Sequence, residues 1–528
     1  MKKIRKFLLN AIILCAVSIL MRTVGVSFNV YVSNRAGAEA MGLYSLLSGI
    51  YAFGVTFATS GINLATMRLV AKALGKNDGN EASAALKRCI LYSLFFSSLA
   101  TVWLFFGAEF IGTRMLKDAR TVASLRLLSI SLVPISLSSA FNGYFTAVRR
   151  VYKNAVIQVC EQAVKIICVS SLLSLLLPRG IEFACAALAM GGMLSECFSF
   201  LLSLIVFLLD KRRNIHKTDK SGSNNGLTKE LLGTALPIAS SAYIRSGLIS
   251  IEHMLIPIGL EKSGLNRSRA LSLYGIIQSM VLPIVLFPSA LISSFSGMLV
   301  PELTECAVKE NQRQIRYICE RAIQLALIFS IGTAGIMICF SKELGEVIYP
   351  GKNTAAYIKM LAPLIPVMYL DTTVDHMLKG LGEQFYSMLV NIADSLLSVF
   401  LVWTLLPKVG ITGYVITIYI TELINASLSI VRLTKKSGFV PNLVKWIAKP
   451  LLCIVGATSI CHMLFEYFSP TGYCALSLTL HIITAIIIYT VLLMITSAFD
   501  KDDIKWALNI FKDKDSIKSD AGYNPAQN

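Results

Sequence analysis

The sequence predicts an all-α polytopic membrane protein, and three observations predict it. First, the 528 residues are 55% hydrophobic and only 15% charged, with a mean hydropathy of +0.65, well away from the balance of a soluble domain. Second, the apolar residues come in blocks of roughly 20 or more, which at about 1.5 Å of helical rise each match the hydrocarbon core of a bilayer. Third, no block shows the short alternating pattern of a membrane β-barrel strand, so helices are the spanning element left.

In chain order, fourteen spans are expected at 10–32, 43–67, 89–109, 124–147, 155–177, 183–209, 231–259, 271–299, 322–341, 356–378, 385–406, 411–431, 446–467 and 474–498. The opening MKKIRKFLLNAIILCAVSILM is basic and then apolar, as a signal peptide is. It has no small-x-small cleavage site and its apolar run continues to Val32, so it reads as an uncleaved first helix. Lys and Arg set the orientation. With a cytoplasmic N-terminus, the even-numbered connections and both tails carry 32 of the 49 basic residues, so both termini are expected inside. The third connection, with Arg114, Lys117, Arg120 and Arg126, runs against that bias. The net charge of +18 is mostly this topological signal, so nucleic acid is not an expected partner. The twelve cysteines lie mostly in apolar blocks without CxxC or Cys/His spacing, and read as packing residues rather than metal ligands or disulfides.

The polar stretch DKRRNIHKTDKSGSNNGLTKE (210–230) falls after six helices and reads as a flexible basic linker. The helices on its two sides repeat. SILMRTVG (18–25) aligns with SAYIRSGL (241–248), and LYSLLSGIYAFGV from Leu43 with LYGIIQSMVLPIV from Leu273. The span from Tyr152 aligns with that from Phe385, placing Gln158 on Asn391 and Glu161 on Asp394. The offsets, 223, 230 and 233, rise as loop insertions require. A parallel duplication follows: an N-terminal lobe (1–209), the linker (210–230), a C-terminal lobe (231–433), a helix pair (434–499) and a polar cytoplasmic tail (500–528).

The repeat places Arg22 on Arg245 and Asn29 on Glu252. Arg22 lies about 18 Å of rise past Asn10, and Arg245 about 21 Å past Leu231, so both fall near mid-membrane. A charge there costs at least a few kcal/mol and marks function by default. Two arginines facing a shared cavity would suit an anion, and the planar guanidinium fork fits a phosphate. The competing reading is neutralisation by an internal carboxylate. Glu252 lies on the face of Arg245 and reads equally as its partner or as a proton or cation site. Arg68, near a helix end, reads as snorkelling or as a substrate contact. Glu161 and Lys165 stand at the spacing of an intrahelical ion pair. Asp371, Asp375 and Asp394 add acids in or near spans, and with Glu161 and Lys165 they are candidates for a coupling cation or proton. Pro257, Pro283, Pro288, Pro363 and Pro366 free carbonyls and permit kinks, and Gly25, Gly275 and Gly335 are candidate hinges. No Walker motif, Ser/His/Asp set or paired-carboxylate site is present, so neither an ATPase nor another enzyme is expected, and no cofactor beyond a coupling ion.

NRAGAEAMGLYSLLSGIY (34–51), YGIIQSMVLPIVLFPSALISSFSGMLVPEL (274–303) and LKGLGEQ (378–384) resemble the polysaccharide-transport branch of the multidrug/oligosaccharidyl-lipid/polysaccharide exporter superfamily, and within it a sporulation-protein group. The resemblance covers nearly the whole chain. It implies two six-helix lobes around a cavity that opens alternately to each side, and flipping of an undecaprenyl-pyrophosphate-linked saccharide across the bacterial plasma membrane. It also implies a groove for the polyprenyl tail at helices 13 and 14. The related lipid II flippases carry a first-helix arginine in a setting that Arg22 in MRTVG matches; their next arginine has no counterpart, Phe28 standing there. The expectation is a flippase in which Arg22 and Arg245 hold the pyrophosphate. The alternatives are a cation-coupled multidrug exporter of the same superfamily and a non-transporting scaffold for wall-synthesis enzymes docked on the linker and tail.

Overall fold

The computed structural model describes residues 2–76, 78–214, 226–468 and 475–499. Residues 215–225 of the expected linker and the whole expected tail, 500–528, lie outside the described residues. Among the described residues there are helices and no strands, and every cysteine whose side chain is described is a free thiol.

The first helix, α1 (Lys2–Thr59), is far too long for one crossing. It is broken at Gly37, whose φ of 85° and ψ of 167° a side chain would oppose. The break separates the first two expected spans. A turn at Ser60 and Gly61 then leads to α2 (Ile62–Gly75). α3 (Gly79–Phe110) starts where Asp78 accepts hydrogen bonds from the Asn80 and Glu81 amides at 3.0 and 2.9 Å, and a π-helical turn, Ile111–Met115, ends it. α4 (Thr121–Ile130), α5 (Leu132–Ala147), α6 (Val151–Leu176), α7 (Ile181–Asn214) and α8 (Leu227–Lys262) follow. α9 (Arg267–Gly275) passes through a π-helical stretch, Ile276–Val281, into α10 (Leu282–Leu286) and then α11 (Ser289–Val308). The rest comprises α12 (Gln312–Cys339), α13 (Ser341–Ile348), α14 (Thr354–Leu361), α15 (Ile365–Gly380), α16 (Gln384–Val409), α17 (Ile411–Ser437), α18 (Lys449–Phe468) and α19 (Ala475–Ile495).

Among the described residues, 11 helices are long and apolar enough to cross a membrane. The first of these, Ile19–Gly75, takes in two of the expected spans. The expected spans 231–259 and 356–378 are helical but do not qualify. The first, in α8, is diluted by Arg245 and Glu252; the second is cut by a 3₁₀ turn at Ala362–Leu364. The fourteen expected crossings are therefore not matched one for one.

The chain divides into two compact units. One comprises Ser27–Ser279 and Ser398–Gly413, the other the described parts of Met1–Val26, Met280–Leu397 and Tyr414–Asn528. In the first unit, Phe141, Tyr144, Phe145 and Phe207 pack with Val70, Leu86 and Ile157 into a buried core. Close backbone approach fixes other crossings. A Cβ on Gly42 would lie 1.9 Å from the Leu271 carbonyl oxygen, and one on Gly275 2.2 Å from that of Ala38. In the second unit, α18 and α19 pack on α12 at small residues. A Cβ on Gly332 would lie 2.6 Å from the Tyr489 ring, and one on Gly335 2.3 Å from Ile454. Gly275 and Gly335, two of the candidate hinges, are close-packing positions with helical backbone; the break in α1 is at Gly37.

Outside the spans, an ionic corner ties three connections of the first unit together. Arg120 Nη2 donates to Asp118 at 2.8 Å and Nη1 to Glu39 at 3.1 Å. Arg267 donates to Glu261 and to the Leu116 carbonyl, each at 2.5 Å, and Ser268 to Glu39 at 2.5 Å. Burial would raise the Asp118 carboxyl, but the hydrogen bonds and charge of Arg120, with the Arg267 guanidinium, hold it below the usual carboxylate range.

Two outcomes follow from this packing. Gly42→Val should lower the thermal denaturation midpoint and the yield of monodisperse protein, with an overpacking cost of about 1–3 kcal/mol or more, while Gly25→Ala, with nothing within 4 Å, should leave both unchanged or improved. Asp118→Asn should cost about 1–3 kcal/mol at pH 7. Because the folded carboxyl titrates below its ordinary 3.8, that contribution is complete above 3.8 and disappears as pH falls through the folded value. Melting curves of the two proteins should therefore converge in acid; a gap of constant size would remove this account.

Candidate functional site

Arg22 sits beside a broken helix. α10 ends at Leu286, and Phe287 and Pro288 separate it from α11. In a continuous helix the Leu286 carbonyl would accept the Ala290 amide, which here donates to Phe287 at 3.3 Å. Arg22 Nη2 donates to the released Leu286 oxygen at 2.8 Å and to Ser289 Oγ at 3.3 Å, while Ser289 Oγ donates to the same carbonyl at 2.6 Å. The buried Tyr369 hydroxyl, from α15, caps the Val285 carbonyl at 2.6 Å. Arg22 is thus neutralised by no carboxylate at this contact. It works as a helix cap, with the rest of its guanidinium exposed.

Asn29 has a comparable task in the other unit. Its Nδ2 donates to the Ser279 carbonyl at 2.6 Å, inside the π-helical stretch where the regular ladder is widened. The Ser279 hydroxyl pairs with Ser45 and donates to the Met41 carbonyl at 3.2 Å.

Arg245 differs. It lies near the middle of α8, between Pro237 and Pro257, and is exposed. Among the described residues its guanidinium makes no hydrogen bond or ion pair. Glu252, two turns on, is partly buried and engaged with its surroundings. His253 is hydrogen-bonded to Tyr274 and packs edge-on against its ring. Arg68 is exposed on α2, where the neighbouring Lys72 reaches Glu230 at 2.6 Å.

The acids form a group in each unit. Glu161 does not form the intrahelical pair with Lys165 that its spacing invites. Packing of α7 on α6 offers it the Ser199 hydroxyl at 2.7 Å, and Lys165 acts on it only through space. Glu196 on α7, which the sequence reading passed over, feels the charges of Glu161 and Lys165. In the other unit, Asp371 and Asp394 act together on Glu422 of α17, also passed over. Asp375 stands apart, paired with Lys379 at 2.5 Å and hydrogen-bonded to Ser387. Glu196 and Glu422 do carry a signal in the sequence: each is a lone acid in an apolar run, MLSECFSF and YITELINA.

The capping role predicts a cost without ligand. Tyr369→Phe should lower the thermal midpoint by the equivalent of about 1–3 kcal/mol, because a buried carbonyl is left unpaired, and Arg22→Ala should cost less, since Ser289 still serves Leu286. Equal midpoints for Tyr369→Phe and wild type would refute the capping account.

Comparison with known proteins bears on this geometry. Residues 7–301 match the family described as polysaccharide biosynthesis protein. Stage V sporulation protein B of Bacillus subtilis (strain 168) is 25% identical over 503 residues, covering 94% of this chain and 97% of that protein. Among solved structures, the inward closed conformation of the lipid II flippase MurJ superposes with a TM-score of 0.68 at 13% identity, covering 91% of this chain and 98% of that one. An inward-facing multidrug resistance MATE family transporter of the MOP superfamily gives 0.59 at 16% identity, covering 81% and 100%. The fold is that of these multi-pass transporters, and the chain belongs to the polysaccharide biosynthesis protein family.

Proposed function

We propose that this MOP-superfamily transporter is a flippase for a lipid-linked saccharide in a bacterial plasma membrane, with both termini cytoplasmic. The observation that carries the reading is Arg245. A cation at mid-span costs about 2.5–3.5 kcal/mol on insertion scales. Among the described residues no carboxylate pairs with it, and its exposed side chain is open to an anionic ligand. The pyrophosphate of an undecaprenyl-linked saccharide supplies such a charge on a head group too polar to cross hydrocarbon unaided. On this reading Arg245 and the exposed part of Arg22 each contact the pyrophosphate, and Glu252, Asn29 and Arg68 are further substrate contacts. Coupling to a cation or proton falls to Glu161 with Lys165, and to Asp371 with Asp394.

Family membership and the likeness to a protein named as a lipid II flippase support this substrate class. The acids around Glu422 favour a second reading, a cation-coupled exporter of cationic drugs. One complementation experiment separates the two. In a bacterium depleted of its lipid II flippase, wild type should restore growth, and Arg245→Ala should lower transport at least tenfold at unchanged membrane abundance. Full rescue by Arg245→Ala would remove the assignment. Drug resistance that depends on Asp394, with no rescue, would select the exporter.

A further inference from the structure

The fold builds a second cationic site from segments about 120 residues apart. The α12 N-terminus, capped by Asn311, and the last turn of α17 line one open cavity of about 420 Å³. Arg313 and Arg316 come from the first segment, and Lys435, Lys436 and Gly438 from the second. Gly438, with φ of 66°, turns the chain out of α17 and leaves the space open. All of these residues lie in one compact unit, and none belongs to the transport site proposed above.

Two of the four cations are committed. Arg316 donates to Glu320 at 2.9 Å, and Lys436 lies 2.6 Å from Glu383. The hydrogen bond from Lys436, with a second from Arg432, holds the Glu383 carboxyl below its usual range, so that pair stays ionised. Arg313 and Lys435 have no hydrogen-bond or ion-pair partner among the described residues. The cavity therefore keeps a surplus of two positive charges, and the N-terminal end of a 28-residue helix adds to it. A guanidinium beside an ammonium fits phosphate oxygens better than a carboxylate, which Arg316 and Lys436 already have.

The surroundings decide where the phosphate comes from. Val308 is 81% exposed, and Val440, Leu443 and Val444 are each 63% exposed. Apolar side chains so exposed beside a basic cavity at helix ends describe the boundary between lipid and water. We propose that this cavity binds the phosphate group of an anionic membrane lipid, with Arg313 and Lys435 supplying the uncommitted charges.

The test uses delipidated full-length protein in neutral detergent, titrated with phosphatidylglycerol, phosphatidylcholine or inorganic phosphate, with lipid occupancy read by native mass spectrometry. Arg313→Gln/Lys435→Gln is compared with wild type and with Arg179→Gln/Lys408→Gln, which removes the same charge from exposed positions elsewhere. Phosphatidylglycerol should bind wild type and the control variant alike, and the cavity variant at least fivefold more weakly; phosphatidylcholine should not distinguish them. Equal phosphatidylglycerol binding by wild type and cavity variant would overturn the proposal, as would equal loss in both variants. Variant-sensitive binding of inorganic phosphate without that of phosphatidylglycerol would overturn the lipid assignment in favour of a soluble phosphate.

Discussion

Inside a bilayer, a carbonyl released from a helix has no water to turn to, and the protein itself must supply the donor. Much of this structure answers to that constraint. The path from α9 to α11 departs from regular helix twice, in the π-helical stretch and again at Phe287 and Pro288. Each departure is met by a polar side chain from α1: Asn29 at the Ser279 carbonyl and Arg22 at that of Leu286. Tyr369 and Ser289 complete the second repair. Residues that look like costly insertions into an apolar helix are, in part, what allows another helix to bend.

The phrases that carry the family resemblance are points of contact. Gly42, within 34–51, meets Gly275, within 274–303, where a Cβ on Gly275 would come within 2.6 Å of the Gly42 amide. Gly380, in LKGLGEQ, packs on Val300 and Leu303 of LVPEL, and Thr304 Oγ1 donates to its carbonyl at 2.9 Å. These segments describe how helices cross. That explains why they identify the family well and say little about its cargo: the constraint they record is steric.

The sequence made the spans legible because blocks of 20 apolar residues have few other uses, and it made Arg22 and Arg245 legible because charge at that depth is costly. Pro288 announced a break. What no single sequence discloses is pairing across the fold: that Arg22 would meet Leu286, or that Glu161 would prefer Ser199 on a neighbouring helix to Lys165 one turn away. Gly275 read as a hinge because its neighbour, Gly42, is distant in sequence. The basic cavity was hidden for the same reason, its two halves being unremarkable cationic helix ends taken separately.

The Arg22 contact has a thermodynamic consequence. One guanidinium serves the Leu286 carbonyl, and the same group is exposed to whatever anion approaches it. An oxyanion that draws the Nη2 end away leaves Leu286 to the Ser289 hydroxyl alone, so occupancy of Arg22 and the free energy of the bend are linked. The linkage is reciprocal: a ligand that loosens the cap must bind more tightly when the bend has already relaxed. A residue that caps a bend and also lies open to an anion would couple the arrival of that anion directly to the shape of the bend.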